Sequence, residues 1–270
     1  MVYYMDMDIR LKISQDYENG QSVKDLSKKY DIAASKLYRI LAETGVTMRS
    51  NRENSRKYTL DETYFSTYHN ENSYWIGVLA ADGYIATPKH TSGVISLSQK
   101  SNAENTKWIQ QFLDDIGSDA PIKTYINKTA YGDCEYIKIR MNSAQIYSDL
   151  VNAGIVPRKS LILKPPPSKV IARDWIRGYF DGDGSASYGG IGVRLRFCGT
   201  EEVLDWIETQ LPAGKVYWSK RYPDSKNNYQ IEVSRKSDVI DSINYLYNNA
   251  TRYLPRKRER CESFIRKYQT

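Results

Sequence analysis

The chain has 270 residues, 40% of them hydrophobic, and a mean hydropathy of -0.63. No apolar run approaches the roughly 20 residues that a membrane span needs. Its 39 Lys+Arg against 32 Asp+Glu leave a net charge of +7 and a pI near 9.0, a modest basic excess suited to a polyanionic partner. Three scattered cysteines (Cys134, Cys198, Cys261) exclude a disulfide framework and a zinc-binding spacing. With an acidic, polar N-terminus that does not read as a signal peptide, they imply an intracellular protein of the cytoplasm or nucleoid. The 23 tyrosines suit nucleic-acid surfaces and half-buried strand positions alike.

Residues 1–48 predict three helices. Ile9, Ile13 and Tyr17 follow helical spacing, and Gly20 ends the first helix. Ser22 caps a second, with Asp25 three residues on in a capping-box pattern and Leu26 and Tyr30 facing inward. After an Asp31-Ile32 turn, Ala34 to Glu43 forms the third, with Leu37, Ile40 and Leu41 inward. Two short helices across a tight turn suggest a helix-turn-helix, its second helix offering Ser35, Lys36, Tyr38 and Arg39 to DNA. A plain three-helix packing module is the alternative. Residues 49–72 read as a basic linker, whose stretch from Arg49 to Lys57 sets Arg49, Arg52, Arg56 and Lys57 against one acid, Glu53. Such a segment either tracks phosphates or is simply solvated.

Beyond the linker, two segments say nearly the same thing. Trp75-Ile76-Gly77-Val78-Leu79-Ala80-Ala81-Asp82-Gly83 and Trp175-Ile176-Arg177-Gly178-Tyr179-Phe180-Asp181-Gly182-Asp183-Gly184 are apolar helices ending in Asp-Gly. Each places a carboxylate at the end of a buried element, and two such carboxylates can share a metal ion. Further on, Trp108-Ile109 returns as Trp206-Ile207, and Pro157-Arg158-Lys159 as Pro255-Arg256-Lys257. The constant order and spacing argue for an internal duplication.

Each copy predicts helix, two strands, helix, two strands, helix. In the first, Val94 to Gln99 is a strand and Asn102 to Ile116 a helix closed by Gly117. Ile122 to Asn127 and Glu135 to Met141 form a hairpin, and Ser143 to Asn152 is a helix stopped by Gly154. In the second, Val193 to Phe197 is a strand, Glu201 to Leu211 a helix, Lys215 to Lys220 and Gln230 to Ser234 strands, and Ser237 to Asn248 a helix. The domains read as 73–163 and 173–270, joined by a proline-rich connector over 164–172. Alternation in Val193-Arg194-Leu195-Arg196-Phe197 buries the apolar side chains and leaves Arg194 and Arg196 on an open sheet face, as Lys138 and Arg140 would be in copy one. Such a face meets phosphates and base edges, or is an ordinary solvated sheet. The tail from Arg252 to Lys267 holds seven basic residues and two acids. It either clamps phosphates or is a solvated terminal helix.

At the two Asp-Gly helices the chain resembles the LAGLIDADG homing endonucleases of the single-chain, two-repeat kind. Trp75 to Gly83 matches the motif with Ala80 in place of its first acid, whereas Ile176 to Gly184 keeps both acids. The resemblance covers about residues 58–270, and the N-terminal module is similar to helix-turn-helix units that some phage and intron endonucleases append. It implies an α+β fold: two pseudo-symmetric αββαββα repeats with saddle-shaped antiparallel sheets, preceded by a small all-α helix-turn-helix domain.

The implied activity is site-specific hydrolysis of both strands of double-stranded DNA at a long recognition site, by a monomer with no membrane partner. In that family the motif helices pack together through small residues, here Gly77 and Gly178. The final acids, Asp82 and Asp183, would bind Mg²⁺ (two or three divalent ions, with Mn²⁺ able to substitute), helped by the carbonyls of Ala81 and Gly182. Lys159 and Lys257 would stand near the scissile phosphates, and Gln99 would orient a metal-bound water. Copy two reads Cys198-Gly199-Thr200 where Gln99 would recur. The same scaffold leaves two alternatives, a maturase that binds group I intron RNA and a non-catalytic DNA-binding regulator.

Overall fold

The computed structural model describes residues 6–48, 58–86, 93–129, 132–189, 192–224 and 226–269, which fall into two compact units, Met1–Lys57 and Tyr58–Thr270. In the first unit, α1 (Met7–Glu18), α2 (Val23–Tyr30) and α3 (Ala34–Glu43) enclose Ile13, Tyr17, Leu26, Leu37, Ile40 and Leu41. The Ser22 hydroxyl accepts from the Asp25 amide at 3.1 Å, satisfying one of the free donors at the start of α2. Asp31, at φ 53°, turns the chain from α2 into α3. Ile9 was expected inside but lies exposed. Burial at Ser14, which hydrogen bonds with Thr44 at 2.6 Å, shows that the inner face of α1 is rotated toward Ile13, Ser14 and Tyr17.

The second unit repeats one order of elements. Its first half comprises α4 (Asn70–Ala81), β1 (Tyr84–Ala86), β2 (Val94–Lys100), α5 (Ala103–Asp115), β3 (Lys123–Thr129), β4 (Gly132–Asn142) and α6 (Ala144–Asn152). Its second half comprises α7 (Ala172–Asp183), β5 (Ser185–Gly189), β6 (Gly192–Gly199), α8 (Glu201–Gln210), β7 (Tyr217–Lys220), β8 (Tyr229–Val233) and α9 (Lys236–Tyr247), followed by α10 (Pro255–Gln269). The two sheets are antiparallel with matching orders, β1-β2-β4-β3 and β5-β6-β8-β7. Helix ends fall within two residues of those expected. Asn102, Ser143 and Thr200 each cap their helix through the side chain rather than belonging to it.

One continuous core joins the halves. It explains why α4 is almost wholly buried and carries no polar stripe: Trp75 packs on Trp108 and Phe112 of its own half, and the helix also meets α7. The duplicated tryptophans make duplicated contacts, Trp75 on Trp108 at 5.5 Å between ring centroids and Trp175 on Trp206 at 5.3 Å. Arg177, a charged residue within the second motif, is fully buried. It is held by Asp174, by the Arg252 carbonyl at 2.7 Å and by the Leu246 carbonyl at 3.1 Å. Arg252 in turn grips Asp115 of the first half through two bonds of 2.6 and 2.7 Å. The C-terminal tail is not a wholly solvated helix, because Cys261 and Phe264 enter the core and Arg252 pairs with Asp115.

Candidate active site

The closeness of α4 and α7 sets the site. A Cβ built on Gly77 would lie 2.0 Å from the Trp175 carbonyl oxygen, and one on Gly178 would lie 2.0 Å from that of Tyr74. Only a hydrogen fits at either position, so the helix backbones touch. The contact continues to the helix ends, where a Cβ on Gly182 would meet the Ala81 Cβ at 2.3 Å and Oδ2 of Asp82 at 3.2 Å. Asp82 therefore stands beside the residue that precedes Asp183.

Both carboxyl groups are pushed above the ordinary carboxylate range. For Asp82 the causes are desolvation and then the charge of Asp183, opposed by the Gln99 hydrogen bond and by Lys257 and Lys159. For Asp183 desolvation leads, opposed by Lys159, Arg221 and Lys257. Two helix C-termini converge here and add their own negative potential. Two desolvated carboxylates and an all-oxygen donor set fit a hard divalent cation that keeps most of its waters, with Asp82 and Asp183 to hold it. Among the described residues there is no cluster of three or more His, Cys, Asp or Glu side chains, so the protein alone supplies few ligands.

The two Pro-Arg-Lys segments bring a buried lysine to the end of each motif helix. Lys159 Nζ donates to the Gly83 carbonyl at 2.5 Å. Lys257 Nζ donates to the carbonyls of Phe180 (2.5 Å), Gly184 (2.6 Å) and Gly182 (3.1 Å). Cations are favoured at helix C-termini, and both lysines are placed there. Burial lowers the Lys159 ammonium and pushes Lys257 down to about 8. The Gly182 carbonyl, expected as a metal ligand, thus already accepts a bond from Lys257.

Asp181, the extra acid of the second motif, does not belong to this site. It is fully buried and accepts from Tyr74 Oη at 2.8 Å, Tyr247 Oη at 2.7 Å and the Leu254 amide at 2.7 Å. It ties α4, α9 and the start of the tail to α7.

Gln99 Nε2 donates to Asp82 Oδ2 at 2.6 Å. Strand register identifies its counterpart. Tyr84 pairs with Ser96 and Ser185 with Arg196, each two residues after the motif Asp, so three residues further on Gln99 and Gly199 match. A side chain at 199 is excluded, because its Cβ would meet the Tyr179 hydroxyl at 2.5 Å. That hydroxyl is fixed by its bond to the Cys198 carbonyl at 2.8 Å.

The sheets place the other expected contacts. Val193, Leu195 and Phe197 are buried, and Arg194 and Arg196 lie half-buried on the open face. Both arginines meet Glu232, at 3.5 and 2.7 Å, a partner that no local pattern in the sequence reveals. Lys138 and Arg140 share the open face of the first sheet, opposite Ser98 and Ser96. In the N-terminal unit Tyr38 and Arg39 are exposed and Lys36 is half-buried. Arg52 and Arg56 lie outside the described residues. The structure also shows a cavity of about 240 Å³ beside Asp183, bounded in part by Lys159, Ser160, Arg221 and Asn228. The last three come from loop and hairpin positions, where sequence periodicity carries no signal.

No family model and no curated protein sequence matches the chain. Solved structures do. The homing endonuclease I-WcaI bound to its DNA recognition sequence superposes with a TM-score of 0.50 at 14% identity, over 74% of this chain and 91% of that one. The I-SmaMI LAGLIDADG homing endonuclease bound to cleaved DNA gives 0.46 at 11% identity, over 73% and 89%. The LAGLIDADG meganuclease I-AabMI bound to uncleaved DNA gives 0.45 at 9% identity, over 73% and 89%.

Proposed function

We propose, from the premise that this chain has the LAGLIDADG homing-endonuclease fold, that it is a metal-dependent, site-specific endonuclease of double-stranded DNA. The observation that carries the reading is the convergence of Asp82 and Asp183 at two touching helix ends, with their charge only partly compensated. A divalent cation held by these carboxylates would supply an activated water and neutralise charge on the leaving oxygen.

The chain's own residues prepare that chemistry. Gln99 fixes Oδ2 of Asp82, the oxygen that lies beside Gly182 of the other motif helix. Lys159 and Lys257 lock the two helix ends through carbonyls and give the floor of the site the positive potential a phosphodiester requires. Lys138, Arg140, Arg194 and Arg196 on the open sheet faces hold backbone phosphates or read bases, and Lys36, Tyr38 and Arg39 extend the contact from the N-terminal unit. Retention of both terminal acids favours this reading over an RNA maturase or a DNA-binding regulator, neither of which needs them.

The test is strand cleavage with Mg²⁺ on a duplex selected from a randomised library by retention on the full chain. Asp82→Asn and Asp183→Asn should each lose double-strand cleavage while still retaining the duplex. Full cutting by either variant would overturn the assignment.

A further inference from the structure

The two halves of the site are unequal in a way that the strand register makes specific. Copy one has Gln99 on Asp82, whereas copy two has Gly199, where no side chain fits. A second exchange stands next to it. In the first sheet Lys123 pairs with Lys138 and Tyr125 with Tyr136, while in the second Ser219 pairs with Gln230 and the Arg221 amide donates to the Asn228 carbonyl at 3.1 Å. Arg221 is therefore the counterpart of Tyr125. In copy one that position is uncharged, with Tyr125 stacked on Tyr136 at 5.6 Å and its hydroxyl bonded to Ser98 at 2.6 Å. In copy two it is an exposed guanidinium at the rim of the 240 Å³ cavity that contains Asp183 and Lys159.

We propose that Arg221 is the phosphate-binding cation of the Asp183 half-site, supplying from the β7–β8 hairpin a donor that Gly199 cannot. The inference rests on the nuclease reading for its kinetic consequence but not for the phosphate contact itself. Asp183, Lys159 and Arg221 all line the cavity, so an anion entering it meets two cations beside the carboxylate. The guanidinium fork suits two oxygens of one phosphate. Its charge already acts on Asp183, together with Lys159 and Lys257. At Asp82 the neutral Gln99 orders the carboxylate instead.

The experiment compares wild type, Arg221→Ala and Arg221→Lys as full chains on a duplex selected by retention, with each strand end-labelled separately. Arg221→Ala should cut one strand roughly 10- to 100-fold more slowly, the scale of losing one charged hydrogen bond, and leave the other within about twofold, so that nicked duplex accumulates. Its slope of log affinity against log salt should fall by about one, and Arg221→Lys should restore that slope. Unchanged slope with an unchanged strand ratio overturns the proposal, as does equal slowing of both strands. If wild type binds but does not cut, the nuclease reading falls. A reduced slope in Arg221→Ala would then still support the phosphate contact, and an unchanged one would overturn it.

Discussion

Substituting alanine for Gly77 tests the contact on which the site depends. The new methyl carbon would lie 2.0 Å from the Trp175 carbonyl oxygen, 2.8 Å from the Trp175 carbonyl carbon and 2.9 Å from the Tyr179 amide nitrogen. The obstacle is helical backbone, which cannot rotate away as a side chain would. The helices must part by more than 1 Å, and overpacking of a tight core costs about 3 kcal/mol at the upper end of the usual range. Alanine recovers about 1 kcal/mol of helix propensity, leaving a net loss of about 2 kcal/mol. For a unit of this size that lowers Tm by about 4–8 °C, measured by thermal denaturation of the full chain. Gly178→Ala meets Tyr74 in the same way, and the double variant should lose less than the sum, because helices already parted admit the second methyl. Separation also pulls Asp82 from Asp183, so cleavage should fall more than DNA binding. A Tm within about 1 °C of wild type in Gly77→Ala would refute direct backbone contact.

Three further outcomes follow from the same geometry. Asp181→Ala strands Tyr74, Tyr247 and the Leu254 amide without their acceptor, and at about 1 kcal/mol or more for each buried donor the urea midpoint should drop by the equivalent of at least ~3 kcal/mol. Asp82 and Asp183 have folded pKa values raised above the unfolded ones, so their contribution to stability falls as pH rises through those values. Asp82→Asn or Asp183→Asn should therefore raise Tm at neutral pH in EDTA, and added Mg²⁺ should stabilise wild type more than either variant, as differential scanning fluorimetry would read. Lys257 is lowered to about 8 from 10.5 by burial, so the unfolded chain binds more protons between those values and stability should increase with pH across that window. Lys257→Met should reduce that increase in denaturation curves taken from pH 8 to 10.5, leaving the part that Lys159 contributes.

Much of this architecture was legible from local pattern. Repeated apolar helices ending in Asp-Gly, the tryptophan pair and the two Pro-Arg-Lys segments are periodic or duplicated signals, and each maps onto a matching place in the structure. Strand alternation at Val193 to Phe197 told inner from outer side chains because a pleated strand admits only two faces. Ile9 was misplaced because one apolar residue near a helix end does not fix the rotation of the buried face.

Other features depended on residues far apart in the chain. The buried Arg177 rests on Arg252 and Leu246, the open-face arginines share Glu232, and Asp181 turns away to Tyr74 and Tyr247. Such roles arise from partners about 35 to more than 100 residues distant, which no window of sequence contains. The sequence by itself determined that there are two similar carboxylate-bearing helices. Only the tertiary structure decided that their ends meet. Glycine permits close approach without requiring it, and the two helices meet because both are buried in the one core that the halves share. The exchange of Gln99 for Gly199 is visible in the sequence, but only the structure shows that the Tyr179 hydroxyl lies against Gly199 and that Arg221 lines the cavity with Asp183.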